Sequence, residues 1–188
     1  MTRIDIAPHR RIVNPVQGDA VTFLETSEES GGVRSLGELE VAPGGKVAPH
    51  YHLSYSEHFK VLAGHMTVMV DGEDRILGPG EEAMVPAGTL HAWSNTSGET
   101  AVAQVELRPG QPGFERSLQV AYGLARDGKV LKNGMPRNPL HTALLLDWGD
   151  GRMAGVYAAL GLVFRALAAI ARALGIDRRL TARYSRPM

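Results

Sequence analysis

The chain has 188 residues and no cysteine, and its twenty Lys plus Arg balance twenty Asp plus Glu. That length points to one domain with room for an appendage, and to a core that needs no disulfide or metal staple. Zero net charge argues against a polycation that coats nucleic acid, and the missing thiols exclude disulfides, thiolate zinc sites, iron–sulfur clusters and cysteine nucleophiles.

Residues 1–11 (MTRIDIAPHRR) hold no apolar run of the signal-peptide kind. Up to about residue 109 the chain reads as short β-rich runs at 21–25, 35–41, 58–62, 66–70, 75–78, 82–86 and 101–107. Turns such as PGG, GPG and PAG bound them. Asp71-Gly72 between two of these runs predicts a tight hairpin. Evenly spaced short strands predict a sandwich or barrel, not a βαβ fold. Beyond residue 113 the period changes. Residues 113–126 read as a helix closed by Asp127-Gly128. Asn138-Pro139 reads as an N-cap with proline in the first turn of a helix over 140–148, stopped by Gly149. The longest helix is predicted over 155–174. Val156, Leu160, Val163, Leu167, Ile170 and Leu174 lie on its apolar face, and Gly175 closes it. Arg178, Arg179, Arg183 and Arg186 make the end of the chain basic. The most apolar stretch, 153–164, falls short of the roughly 20 residues that a membrane span needs. A cytoplasmic location is the expectation.

The zero net charge hides a division. Residues 1–125 carry nine basic and sixteen acidic groups, net −7, whereas 126–188 carry eleven and four, net +7. An acidic β portion and a basic helical tail suit docking on one another, within a subunit or across a dimer.

Chemistry concentrates between Gly44 and Asn95. On a strand, His50 and His52 share a face, because side chains alternate with period two. Glu57 lies an odd number of residues beyond His52, and a bend at Ser54-Tyr55-Ser56 would bring it back on a neighbouring strand. Pro86-Ala87-Gly88 forms a turn that delivers His91 at the start of another strand. The remaining histidines are expected away from this cluster: His58 facing outward with Lys60, His65 at the surface, His9 and His141 outside the barrel. Phe59 and Val61 share the face of Glu57, and Trp93 that of His91, with pocket wall and ordinary core both open. Gln104 and Glu106 are expected on an outward face.

These two segments resemble the paired motifs of the cupin family. The first is carried by Gly44, His50, His52, Glu57 and Gly64, the second by Gly80, Pro86, Gly88, His91 and Asn95. The resemblance implies a mainly β fold: a cupin jelly-roll barrel over 1–112, then a C-terminal α-helical extension over 113–188 that packs on the barrel or on a partner subunit. It also implies one divalent transition metal ion per chain (Fe, Mn, Ni, Cu or Zn) held by His50, His52, Glu57 and His91, donors that suit such ions. Glu57 is in addition the candidate catalytic group. The implied activity is that of a metal-dependent enzyme of dioxygenase-like type acting on a small organic substrate. A metal-dependent isomerase or decarboxylase, and a non-enzymatic small-molecule- or metal-binding protein, are the alternatives. The expected partners are a small-molecule ligand and a second copy in a homodimer. No helix-turn-helix is recognisable, so nucleic acid is not expected. Contact of the helix over 155–174 with an anionic membrane surface is less favoured than packing.

Overall fold

Alternation of apolar and polar side chains along the strands sorts the chain into two antiparallel sheets facing one another, in a computed structural model that describes residues 10–154 and 159–187. The larger sheet is built from β1 (Arg11–Asn14), β2 (Asp19–Glu25), β3 (Ser35–Val41), β5 (Ser56–Ala63), β8 (Glu82–Val85) and β10 (Ala101–Arg108), in the order β1-β2-β3-β10-β5-β8. The smaller sheet joins β4 (His50–His52), β6 (Met66–Val70), β7 (Glu73–Leu77), β9 (His91–Ser94) and β11 (Gly151–Met153), in the order β11-β4-β9-β6-β7. Val41, Phe59, Val61, Val68, Val85 and Ala101 fill the space between them. This is the cupin jelly roll. The alternation is clean in β5, where Glu57, Phe59 and Val61 point inward while His58 and Lys60 are more exposed.

Turn chemistry explains two of the motif positions. Asp71 and Gly72 both adopt positive φ (52° and 87°) between the paired residues Val70 and Glu73, the backbone of a two-residue hairpin. Gly64 has φ 67°, and a Cβ there would lie 2.6 Å from the carbonyl oxygen of Thr100, so no larger residue fits. Asn95 is fully buried. Its amide donates to the carbonyls of Val41 and Glu99 and its oxygen accepts from Ser97, which makes it a loop lock and not a ligand.

Among the described residues four helices follow β10: α1 (Pro112–Arg126), α2 (Pro139–Trp148), then, after β11, α3 (Gly161–Ala173) and α4 (Ile176–Tyr184). The Asn138 side chain accepts from Leu140 N at 2.9 Å, the cap read from the sequence. One face of α1 inserts Leu118, Ala121 and Tyr122 into the barrel core, while Val120 and Leu124 join a second core with α2, α3 and α4. Gly113 permits close approach of α1 to α2, since a Cβ there would meet the Trp148 carbonyl oxygen at 2.2 Å.

The structure departs from the sequence reading in three places. The short edge strands β1 and β11 were not anticipated; β11 pairs with β4, Gly151 opposite His52 and Met153 opposite His50. Three residues are too few to carry a period. The basic end of the chain is helical: α4 buries Leu180 and Tyr184 against α1. The apolar stripe of the predicted long helix also turns the other way. Leu160, Val163, Ile170 and Leu174 are exposed; Leu167 alone of the described stripe packs inward, beside Phe164, Ala168 and Ala171, on α2 and α4. The small alanines let the helices approach closely, and a hydropathy stripe does not register that. Residues 1–9, including His9, and Gly155 and Val156 lie outside the described residues. Among the described residues no helix is long and apolar enough to cross a membrane.

Candidate metal centre

The site lies between the two sheets. β4 and β9 bring His50 opposite His91 in register, and the chain then crosses at 53–55 to the other sheet, where β5 presents Glu57 inward. Glu57 and the histidines therefore meet across the barrel interior, as the bend at Ser54-Tyr55-Ser56 was expected to allow. One ring nitrogen each of His50, His52 and His91 lies within 4.8 Å of the others. Glu57 Oε1 is 3.3 Å from His52 Nε2, and its Oε2 is 3.5 Å from His91 Nε2.

Backbone carbonyls fix which nitrogen faces inward. His50 Nδ1 lies 2.9 Å from Ala48 O, His91 Nδ1 3.0 Å from Thr89 O, and His52 Nδ1 3.1 Å from Gly149 O. A carbonyl only accepts, so each Nδ1 carries a proton, and in the neutral form of each ring the inward Nε2 is the nitrogen with the lone pair. The Nε2 atoms of His52 and His91 are buried with no hydrogen-bond partner among the described residues. Buried polar atoms left this way are uncommon and call for an explanation. Three convergent imidazole lone pairs beside a carboxylate are a donor set that fits a first-row divalent ion.

Electrostatics prepare the same set. Burial, then the neighbouring His91 and His52, push the His50 pKa down to about 4, so this ring is neutral at pH 7. Burial works against the Glu57 carboxylate, but His52 and His91 outweigh it and hold the group well below the usual carboxylate range. Burial would also lower the pKa of His91, yet the adjacent Glu57 carboxylate prevails and raises it.

The C-terminal extension completes the surroundings of His52. Tyr55 is buried, stacks on the His52 ring at 4.4 Å, and places its hydroxyl 2.7 Å from His52 Nδ1 while donating to Gly149 O at 2.9 Å. Asp150 Oδ2 accepts from the backbone N–H groups of Leu53 and Ser54, both at 2.8 Å. Phe114 of α1 stands edge-on to His52. Sequence reasoning missed these groups. Tyr55 had no mark beyond being an aromatic hydroxyl three residues after His52, and Gly149 and Asp150 act only because β11 crosses back beside β4.

A cavity of about 200 Å³ opens beside His50 and Glu57, with Phe59, Trp93, Phe114 and Tyr122 among its walls. Phe59 and Trp93 thus line it, whereas Val61 belongs to the core away from it. His58 faces outward and bonds Glu82 at 3.0 Å, and His65 is exposed. His141 sits half-buried in α2. Gln104 lies in the row of Lys60 and Glu38, and Glu106 bonds Arg34, both away from the centre.

The three convergent histidines inside this jelly-roll barrel make a possible metal site. Residues 37–110 match the family described as Cupin domain. The chain is 30% identical over 108 residues to the tetracenomycin polyketide synthase protein TcmJ of Streptomyces glaucescens, which covers 57% of this chain and 69% of that one. It is 39% identical over 81 residues to quercetin 2,3-dioxygenase of Bacillus subtilis, covering 42% of this chain and 23% of that protein. The chain thus spans under a quarter of the length of that relative. Among solved structures, the polyketide cyclase RemF from Streptomyces resistomycificus superposes with a TM-score of 0.50 and 25% identity, over 60% of this chain and 82% of that one. The chain belongs to the cupin family.

Proposed function

We propose that this protein is a metal-dependent enzyme of dioxygenase-like type acting on a small, largely apolar substrate that carries an enol or phenol oxygen. The observation that carries the reading is the convergence of three imidazoles, one of which, His50, lines an aromatic-walled cavity together with Glu57. His50, His52 and His91, with Glu57 as fourth ligand, would hold one divalent ion (Fe, Mn, Ni, Cu or Zn). When bound, such an ion supplies Lewis acidity toward an oxygen-bearing substrate. Glu57, kept ionised by its two histidines, is the group able to take a proton from a substrate seated beside His50. The aromatic walls seat a flat apolar molecule and exclude water from it. The likeness to quercetin 2,3-dioxygenase supports this reading over the matched residues.

A non-oxidative reaction of the isomerase or decarboxylase kind is the second reading, favoured by the likeness to TcmJ and to the polyketide cyclase RemF. One experiment separates the two. Protein purified without a polyhistidine tag is analysed for metals, loaded with iron, and offered diketones, flavonols and thiols at a dioxygen electrode. Dioxygen uptake matching substrate loss supports the first reading, and conversion under argon supports the second. Metal binding that His91→Ala abolishes, with no turnover of any substrate, transfers the protein to the non-enzymatic binding class.

The outward stripe of α3, with Leu162 78% and Leu174 58% exposed, supports a homodimer in which a second copy covers it. Sedimentation equilibrium of Leu162→Glu against the unaltered chain tests that part.

A further inference from the structure

Glu115 is a buried carboxyl that the metal centre does not use. It stands in the first turn of α1, outside both histidine motifs, and is 6% exposed. Its Oε1 accepts from Ser27 N at 2.7 Å and from the Ser35 hydroxyl at 2.5 Å. Its Oε2 has no hydrogen bond among the described residues, and Glu115 is part of the wall of the cavity that also reaches His50 and Glu57. One oxygen is therefore tied to the scaffold, and the other stays accessible to a ligand.

The sheet register fixes where this carboxyl lies. Ser35 on β3 and Glu57 on β5 are both paired with Leu107 on the intervening β10. Residues paired across antiparallel strands point to the same face, and two strand spacings make roughly 10 Å. The cavity thus has two polar ends, the Glu57–histidine cluster and the Glu115 carboxyl held on Ser35, separated by apolar walls that include Phe59, Leu107 and Phe114. A hydroxyl brought to this accessible oxygen would replace water there with a hydrogen bond to a carboxyl group.

We propose that Glu115 is a substrate-anchoring residue: its Oε2 takes a hydroxyl at the end of the substrate remote from His50, His52 and His91. The substrate class is accordingly a flat aromatic or polyketide-like molecule with oxygens at both ends, not a short acid or thiol with one. This deepens the enzymatic reading above and rests on it for the cavity being the substrate's seat. Burial raises the pKa of the carboxyl against the pull of Ser35 and Ser27, in keeping with a group that exchanges hydrogen bonds in an apolar wall.

The test uses a matched pair of probes, 2-naphthol and naphthalene-2,6-diol, with binding read from quenching of tryptophan fluorescence, since Trp93 lines the cavity. The full-length chain is expected to bind the diol about tenfold or more tightly than the mono-ol, the scale of a hydrogen bond to an ionisable group. Glu115→Gln keeps an oxygen for Ser27 N and the Ser35 hydroxyl but replaces the cavity-facing oxygen with an amide. It is expected to lose the preference for the diol while binding 2-naphthol unchanged. Equal affinities in the unaltered chain overturn the proposal, even if the variant does not fold. So does a preference that survives in Glu115→Gln, and so does failure of both probes to bind. A preference that depends on Glu115, in a protein that turns over no substrate with any metal, upholds the anchoring role and removes the enzymatic reading alone.

Discussion

Tyr55→Phe isolates what the C-terminal extension contributes to the metal centre. The substitution keeps the ring stacked on His52 and removes only the hydroxyl, whose two bonds run to His52 Nδ1 at 2.7 Å and Gly149 O at 2.9 Å. His52 Nδ1 still has Gly149 O at 3.1 Å, so neither partner is left bare. Two net bonds at about 0.5–1 kcal/mol each give a loss of about 1–2 kcal/mol. For a chain of this size that lowers Tm by roughly 2–8 °C. Metal affinity is expected to fall about tenfold, the low end for groups that orient a ligating histidine, because one carbonyl still holds the tautomer. Competition titration with a chromophoric chelator, alongside thermal unfolding with and without added zinc, measures both. A lowered Tm with metal affinity unchanged within about twofold would refute the idea that Tyr55 orients His52.

Three further outcomes follow from the same coordinates. Because Glu57 raises the pKa of His91, an incoming ion must displace a proton, so apparent metal affinity should drop roughly tenfold per pH unit below that pKa and level off above it; competition titrations between about pH 5 and 8 that show no slope would contradict this. Burial, opposed by the Tyr122 hydroxyl, pushes the Asp19 pKa up to about 6 from 3.8. The fold therefore binds this proton more tightly than the unfolded chain, and stability present at low pH is lost as pH rises through 6. Asp19→Asn should raise stability at pH 7.5 by on the order of 2 kcal/mol and flatten its dependence between about pH 4 and 6, as read by urea unfolding. Gly123→Ala adds a Cβ 2.3 Å from Tyr184 Cδ1, so it should destabilise by about 1–3 kcal/mol despite alanine's better helix propensity, with earlier proteolysis at α4 as the local sign.

Basic groups of the tail that help cancel the barrel's charge find acidic partners within the tail itself. Arg183 bonds Asp127 at the end of α1, and Arg172 bonds Asp147 of α2. Both contacts tie α3 and α4 to the other helices, so the tail is held by its own few acids and by the apolar contacts of Leu180 and Tyr184. The barrel's excess of carboxylates plays no part in these two pairs.

Local chemistry was enough for much of the barrel. Short β-rich runs bounded by turn residues placed β2, β3, β5, β6, β7, β8 and β10, and alternation is plainest in β5 and β8. His50, His52, Glu57 and His91 marked a candidate centre through the resemblance of their segments to the paired cupin motifs, and period-two alternation put His50 and His52 on one face. What the sequence could not carry were relations between distant segments. A three-residue strand has no period, so β11 and its gift of Gly149 and Asp150 to the His52 loop appear only when the chain folds back on β4. Side-chain hydropathy likewise gave α3 the wrong inner face, since close packing on α2 favours Ala168 and Ala171 over larger residues. Glu115 is the sharpest case: in sequence it is one acid at a helix start, and it becomes part of the cavity wall only because β3, β10 and β5 lie side by side beneath α1. Which side chains share a face is a property of the strand, whereas cavity walls and bond partners are properties of packing.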